Sequence, residues 1–298
     1  MQVDSFLSGI GTITVLGSNG FIGREISREI HEYLRTNTKD CQRIFDLVPN
    51  SSYDTDFFQS SIHQLLSSHS DSLGCRNAQL FIFAFGSGGF SLTESQANKQ
   101  TRVFLKFLKQ FQASYPNATS IHVSSLGAMS STLDSGYKQL VQAKEDAIIS
   151  QEAGCILRLP GIWGFLKGSS GDYSPRGVIG YLIDRTSRQA QVDIYAEMLT
   201  SRYYLNVKTV SRQVLELVVD HLAGRDAPLI INLVPLWKLD INSLIALISS
   251  TLDKPVPFRL IPGAEADRES HSLATLDGRN LFVRESFDIR IPSWPNYH

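Results

Sequence analysis

Short apolar runs alternate along the chain with stretches whose apolar residues recur every three to four positions, a pattern that predicts a parallel sheet with crossover helices. Residues 12–16 read as a first buried strand that runs straight into Gly17-Ser18-Asn19-Gly20-Phe21-Ile22-Gly23. A helix follows, with Ile22, Ile26, Ile30 and Leu34 on one stripe. Residues 43–48 form a second strand, closed by Pro49 and a Ser/Asp-rich loop, and a third apolar run at 80–85 ends in Gly86-Ser87-Gly88-Gly89. Thr93 and Gln96 make a capping box for the next helix, whose apolar positions are Ala97, Thr101, Phe104, Leu108 and Phe111. Val103, Leu105 and Phe107 make this helix apolar on more than one face, so it either meets a second subunit or sits deep under a second domain.

Farther along, 120–123 is a strand leading into Ser124-Ser125, and a helix over 137–150 precedes a strand at 155–159. From 164 to 201 the composition shifts toward Gly, Ser and Arg with weak periodicity, as in an insertion that leaves the main sheet. Residues 207–222 are again amphipathic and stop at Gly224, 229–233 is a strand, and Asp240 caps a helix through 252. The expected architecture is α/β: a doubly wound parallel sheet of the Rossmann type with a smaller C-terminal substrate domain. The dinucleotide-binding domain takes 1–164 with 202–234 returning to it. The smaller domain takes 165–201 and 235–298, and the cleft between the two holds the second ligand.

Composition narrows the function classes. The 298 residues are 42% hydrophobic and 19% charged, which suits a well-packed soluble globule. With 28 Lys and Arg against 29 Asp and Glu, the chain shows no electrostatic footprint for nucleic acid or an anionic membrane. Its apolar runs are far shorter than the ~20 residues that span a bilayer, and its N-terminus lacks a signal-peptide pattern. Cys41, Cys75 and Cys155 are odd in number and far apart, which excludes a disulfide scaffold and favours a reducing compartment. A cytoplasmic protein is expected. The His residues are scattered with no metal-type spacing, so no metal site is expected, and His122 on an apolar strand reads as a core histidine. There is no G-x-S-x-G elbow and no G-K-[ST] loop.

One motif carries chemistry directly. Gly17, Gly20 and Gly23 stand between a strand and a helix, where glycines permit a tight turn and close approach of backbone to a pyrophosphate. The helix N-terminus adds a partial positive charge. The loop residues Gly17, Ser18, Asn19, Gly20, Phe21, Ile22 and Gly23 are therefore candidate cofactor contacts, with Phe85, Gly86 and Pro160 passing nearby. Asp46 lies 23 residues beyond Gly23, at the end of the second strand. A carboxylate there accepts hydrogen bonds from ribose hydroxyls and disfavours a 2′-phosphate, which favours NAD. Arg24 or Arg43 could instead take the phosphate of NADP.

The order of motifs resembles the extended and atypical short-chain dehydrogenase/reductases, above all their NAD-dependent epimerase/dehydratase group. G-S-N-G-F-I-G looks like the family's glycine signature, and I-H-V-S-S-L-G at 121–127 is similar to the strand bearing its catalytic Ser. L-R-L-P-G-I-W-G at 157–164 resembles its L-R-P-x-x-V-Y-G turn, and R-Y-Y-L-N-V at 202–207 resembles its R-D-Y-I-H-V segment. Ile231-Asn232-Leu233 looks like the strand before the last sugar-site helix. The resemblance implies a sugar nucleotide or similar small-molecule substrate, Arg202 on its diphosphate, and a Tyr–Lys pair with a Ser nearby. In that pair the phenol works as general acid and base while a cation lowers its pKa from ~10.

Here the sequence departs from the family. Tyr137 lies 12 residues after Ser125 and Glu145 lies eight after Tyr137, as in Y-x-x-x-K-x-x-x-E, but the Lys position holds Val141. A second register makes Lys144 the active-site Lys and puts Leu140 in place of the Tyr. The first register keeps both Tyr and Glu, so the candidate catalytic residues are Tyr137, Ser125, Ser124 and Lys144. Lys144 sits roughly 10 Å along the helix from Tyr137 and shares its face, whereas Lys138 points away. Three readings stay open: a displaced cation, a chemistry that needs no strong base, or a dinucleotide-binding protein without turnover. A homodimer rests on the over-apolar helix and the resemblance.

Overall fold

The computed structural model describes residues 10–37, 43–47, 78–84, 93–126, 136–152, 154–167, 173–195, 201–222, 229–261 and 277–284. The chain begins with β1 (Ile10–Leu16), α1 (Phe21–Asn37), β2 (Arg43–Leu47) and β3 (Ala78–Phe83). It continues through α2 (Glu94–Ser114), β4 (Thr119–Ser125), α3 (Gly136–Ser150) and β5 (Cys155–Leu159). These strands, with β10 (Ile230–Pro235) and β13 (Arg279–Val283), make a seven-stranded sheet in the order β13-β10-β5-β4-β3-β1-β2. Pairing is parallel between β1 and β2, β1 and β3, β3 and β4, and β5 and β10. From β1 the chain goes to one side for β2 and to the other for β3, so the topological switch point lies between β1 and β3. Ligands of doubly wound sheets bind outside the carboxyl ends of the strands at such a point.

The helices form where their sequences direct. Ile26, Ile30 and Leu34 are buried on one face of α1. The Thr93–Gln96 capping box is present with both of its hydrogen bonds, Gln96 N to Thr93 Oγ1 at 3.3 Å and Thr93 N to Gln96 Oε1 at 2.9 Å. The second apolar face of α2 has an explanation within the chain: Val103 and Phe107 join one core with Phe81 and Phe83 of the sheet and Ala147 and Ile148 of α3. Leu105 alone of that trio stays exposed, so the apolar surplus does not itself call for a subunit contact. His122 is 3% exposed, stacks on Phe83 at 4.5 Å and bonds Ser120 Oγ at 2.9 Å, a core histidine.

Two compact units divide the chain: 1–158, 210–232 and 277–279, against 159–209, 233–276 and 280–298. Residues 159–164 and 202–209, expected with the sheet, belong to the second unit. The reason is pairing: β6 (Gly161–Lys167) lies parallel to β9 (Arg202–Asn206) and antiparallel to β7 (Tyr173–Arg176), and β9 also pairs β11 (Lys238–Leu239). This unit holds α4 (Gly177–Ser187), α6 (Ile241–Leu252) and the parallel pair β8 (Val192–Tyr195) and β12 (Phe258–Ile261). Its core gathers Trp163, Ile179, Leu182, Ile183, Leu244 and Ile248. Helix α5 (Val207–Leu222) runs between the units in sequence, and Asp240 caps α6 through Ser243 N at 2.7 Å. Among the described residues no helix is long and apolar enough to cross a membrane.

Candidate active site

The loop after β1 is shaped by its glycines. Gly17 sits at φ 91°, a left-handed conformation that L side chains rarely adopt. Its carbonyl accepts Gly20 N at 2.8 Å, closing the turn, and Gly20 O accepts Arg24 N at 3.0 Å. A Cβ on Gly23 would lie 2.2 Å from Gly17 O, so only glycine lets α1 start this close to the loop. Ser18 is buried, Asn19 and Gly20 are exposed, and Phe21 and Ile22 open the helix partly buried. The first turn of α1 carries no acidic side chain of its own to offset the positive helix end. A tight glycine turn leading into a positive helix end at the switch point fits a pyrophosphate.

Strand register puts the other candidates at the same edge. Leu16, Phe83 and His122 are level across β1, β3 and β4. Ser124 and Ser125 therefore stand just beyond this level, and the glycine loop starts at the same level two strands away, about 10 Å across the sheet. Asp46 is paired with Val15 at the end of β2, next to the loop. Phe85 and Gly86 lie outside the described residues.

Tyr137 opens α3 and hydrogen-bonds the Ser125 side chain. The phenol is pushed above its ordinary value, first by burial and further by the nearby Glu145 carboxylate, against the opposing effect of the Ser125 bond. Val141, one turn on, is buried and apolar. Glu145, two turns on, is 3% exposed and accepts the Ser124 hydroxyl. Its carboxylate is gripped by Arg158 of β5 through Nη2 at 2.7 Å and Nε at 3.1 and 3.2 Å. Arg158 is itself 2% exposed and reaches Asp277 Oδ1 at 2.5 Å, while the Asp277 carbonyl accepts Asn232 Nδ2 at 2.9 Å. A continuous polar relay thus runs from the Ser124 end of β4, through α3 and β5, to Asp277.

Lys144 goes elsewhere. Its ammonium lies over the Phe104 ring at 5.1 Å, in the packing of α3 on α2, and burial pulls its pKa down to about 8. Pro160 is buried between β5 and β6, and Arg202 starts β9 opposite Leu239; burial pushes the Tyr204 phenol up, and the nearby Arg202 only partly opposes it. Both belong to the second unit.

The relay residues Arg158 and Asp277 were missing from the candidates. Arg158 had a signal, a charged residue in the otherwise apolar run Cys155–Leu159, which demands a buried partner. Asp277 had none, being 119 positions away.

No family model matches the chain, and no curated protein does. Solved structures do. A UDP-glucose 4-epimerase from Thermotoga maritima, determined with UDP-glucose, aligns over 86% of this chain and 87% of its own at 16% identity and a TM-score of 0.63. MoeE5, determined with UDP-glucose and NAD, aligns over 86% and 87% at 17% identity and 0.61. The ADP-L-glycero-D-manno-heptose-6-epimerase of Helicobacter pylori aligns over 88% of each chain at 13% identity and 0.60. The chain accordingly shares the Rossmann-type α/β fold of these structures along most of its length.

Proposed function

We propose that the protein is an NAD(P)-dependent oxidoreductase or epimerase of the extended short-chain dehydrogenase/reductase type, acting on a sugar nucleotide or a similar carbonyl or hydroxyl substrate. The observation that carries this reading is the glycine-shaped loop of β1 sharing one sheet edge with the Ser125–Tyr137 pair. The backbone amides of 17–23 hold the pyrophosphate, and Asp46 takes the adenosine ribose, which favours NAD over NADP. Bound there, the dinucleotide supplies or accepts hydride. Ser125 binds a substrate oxygen; Ser124, whose proton goes to Glu145, offers only its lone pairs to a substrate hydroxyl; and Tyr137 holds or gives the proton at the reacting oxygen. In the second unit, Arg202 offers a guanidinium fork for the substrate diphosphate.

Val141 favours a second reading, a dinucleotide-binding regulatory or scaffold protein without turnover. Incubation with UDP-glucose or its keto form and either redox state of the cofactor separates the two. A change in NADH absorbance that Tyr137→Phe lowers at least tenfold supports catalysis. Cofactor binding with neither such a change nor conversion of UDP-glucose to its epimer supports the silent protein.

A further inference from the structure

We propose that the outward face of α2 binds a small molecule carrying two or more phosphate groups, at a site that shares no residue with the proposed active site. The ground is a stripe of charge of one sign along a cavity. Helix α2 buries Ala97, Phe104, Leu108 and Phe111. On the opposite face Ser95, Asn98, Lys99, Arg102 and Lys106 are exposed, and with the buried Val103 they line a cavity of about 620 Å³. Among the described residues the whole lining belongs to α2.

Neither Lys99, Arg102 nor Lys106 makes a hydrogen bond or an ion pair among the described residues. The sequence of the helix explains why. Its one acid, Glu94, lies in the first turn, and no carboxylate stands three or four residues from any of the three cations. Arg102 instead follows Lys99 by three positions and precedes Lys106 by four, the spacings at which like charges on a helix repel. With 29 Asp and Glu for 28 Lys and Arg, the chain has acids enough to interleave, so nothing in its composition imposes such a stripe.

The class of ligand follows from size and spacing. A cavity of this volume suits a small molecule. A rise of ~1.5 Å per residue sets Arg102 about 4.5 Å along the axis from Lys99 and about 6 Å from Lys106, so neighbouring cations can share one phosphate or take successive ones. Arg102, in the middle, offers a planar fork for phosphate oxygens. Ser95 and Asn98 add neutral donors at the near end. A second copy of the chain fits this face poorly, because a two-fold contact centred on it sets the same cations against each other.

The test titrates the intact protein with inorganic tripolyphosphate at ~0.15 M salt, read by calorimetry and by the thermal midpoint. One saturable site with a dissociation constant below about 1 mM is expected. A Lys99→Gln/Arg102→Gln/Lys106→Gln protein should bind at least tenfold more weakly. Its fold is expected to hold, since the three side chains are exposed and glutamine has a similar helix propensity. Gly23→Ala, which alters the glycine loop, should leave tripolyphosphate binding unchanged. No saturation at millimolar concentration, or equal affinity in the triple variant, would overturn the proposal. So would a loss of binding in Gly23→Ala, which would place the anion on the cofactor loop.

Discussion

Gly23 carries the most localised claim about the loop. An alanine methyl there meets Gly17 O at 2.2 Å, and neither side of that contact is a flexible side chain. Gly23→Ala should cost about 1–3 kcal/mol of stability, read from the urea midpoint, and weaken NADH binding at least tenfold. Glu145 is a second residue with a sharp expectation. Glu145→Ala removes the buried partner of Arg158 and leaves it only the largely exposed Asp277, which should cost about 3–5 kcal/mol. Asp277→Asn should cost no more than about 1 kcal/mol, because the Asp277 side chain is largely exposed. Equal costs for the two would contradict the picture of one buried and one solvated partner. Cys155 is buried and its thiol is pushed up to about 12 by that burial. With Cys41 and Cys75 replaced by Ser, a thiol reagent at pH 8 should label the protein only as it unfolds.

Helix α3 joins the candidate site to the core. Tyr137 and Glu145 belong to the proposed site, while Leu140, Ala147 and Ile148 are buried and Lys144 packs on Phe104. Because Lys144 titrates at about 8 when folded and at 10.5 otherwise, the unfolded chain binds more protons between those values. Stability therefore rises with pH across that window, and the penalty is fully present below it. Lys144→Met should raise the thermal midpoint at pH 7 and flatten the rise between pH 8 and 10.5.

Elements with one strong local signal were legible in the sequence. The β5 strand, helix α5 and the two capped starts at Thr93 and Asp240 follow from patterns a few residues long. The stretch 164–201 does leave the main sheet, as its composition predicts, but its weak periodicity gives no sign of β7, α4 and β8. Strands of four residues such as Val192–Tyr195 are too short to show a period, and β8 gains its definition from β12, 66 positions away.

At the scale of the molecule, what the sequence hid was long-range pairing. The glycine loop was readable because its turn, its close approach and its helix start all lie within seven consecutive residues. The Ser124–Glu145–Arg158–Asp277 relay was not, because it draws on four separate segments. The division into units shows the same limit: 202–209 looked like a return to the main sheet, but it follows β6 into the second unit.

The central claim is that this fold holds a nicotinamide dinucleotide on the loop of 17–23. The most direct measurement is a titration of the purified protein with NADH and, separately, NADPH, followed by intrinsic fluorescence and the thermal midpoint. A ligand at 100 times its dissociation constant adds about 2.7 kcal/mol of stability, which such a scan resolves. The account predicts saturable binding, tighter for NADH, that Gly23→Ala removes. No shift with either cofactor at millimolar concentration would contradict it.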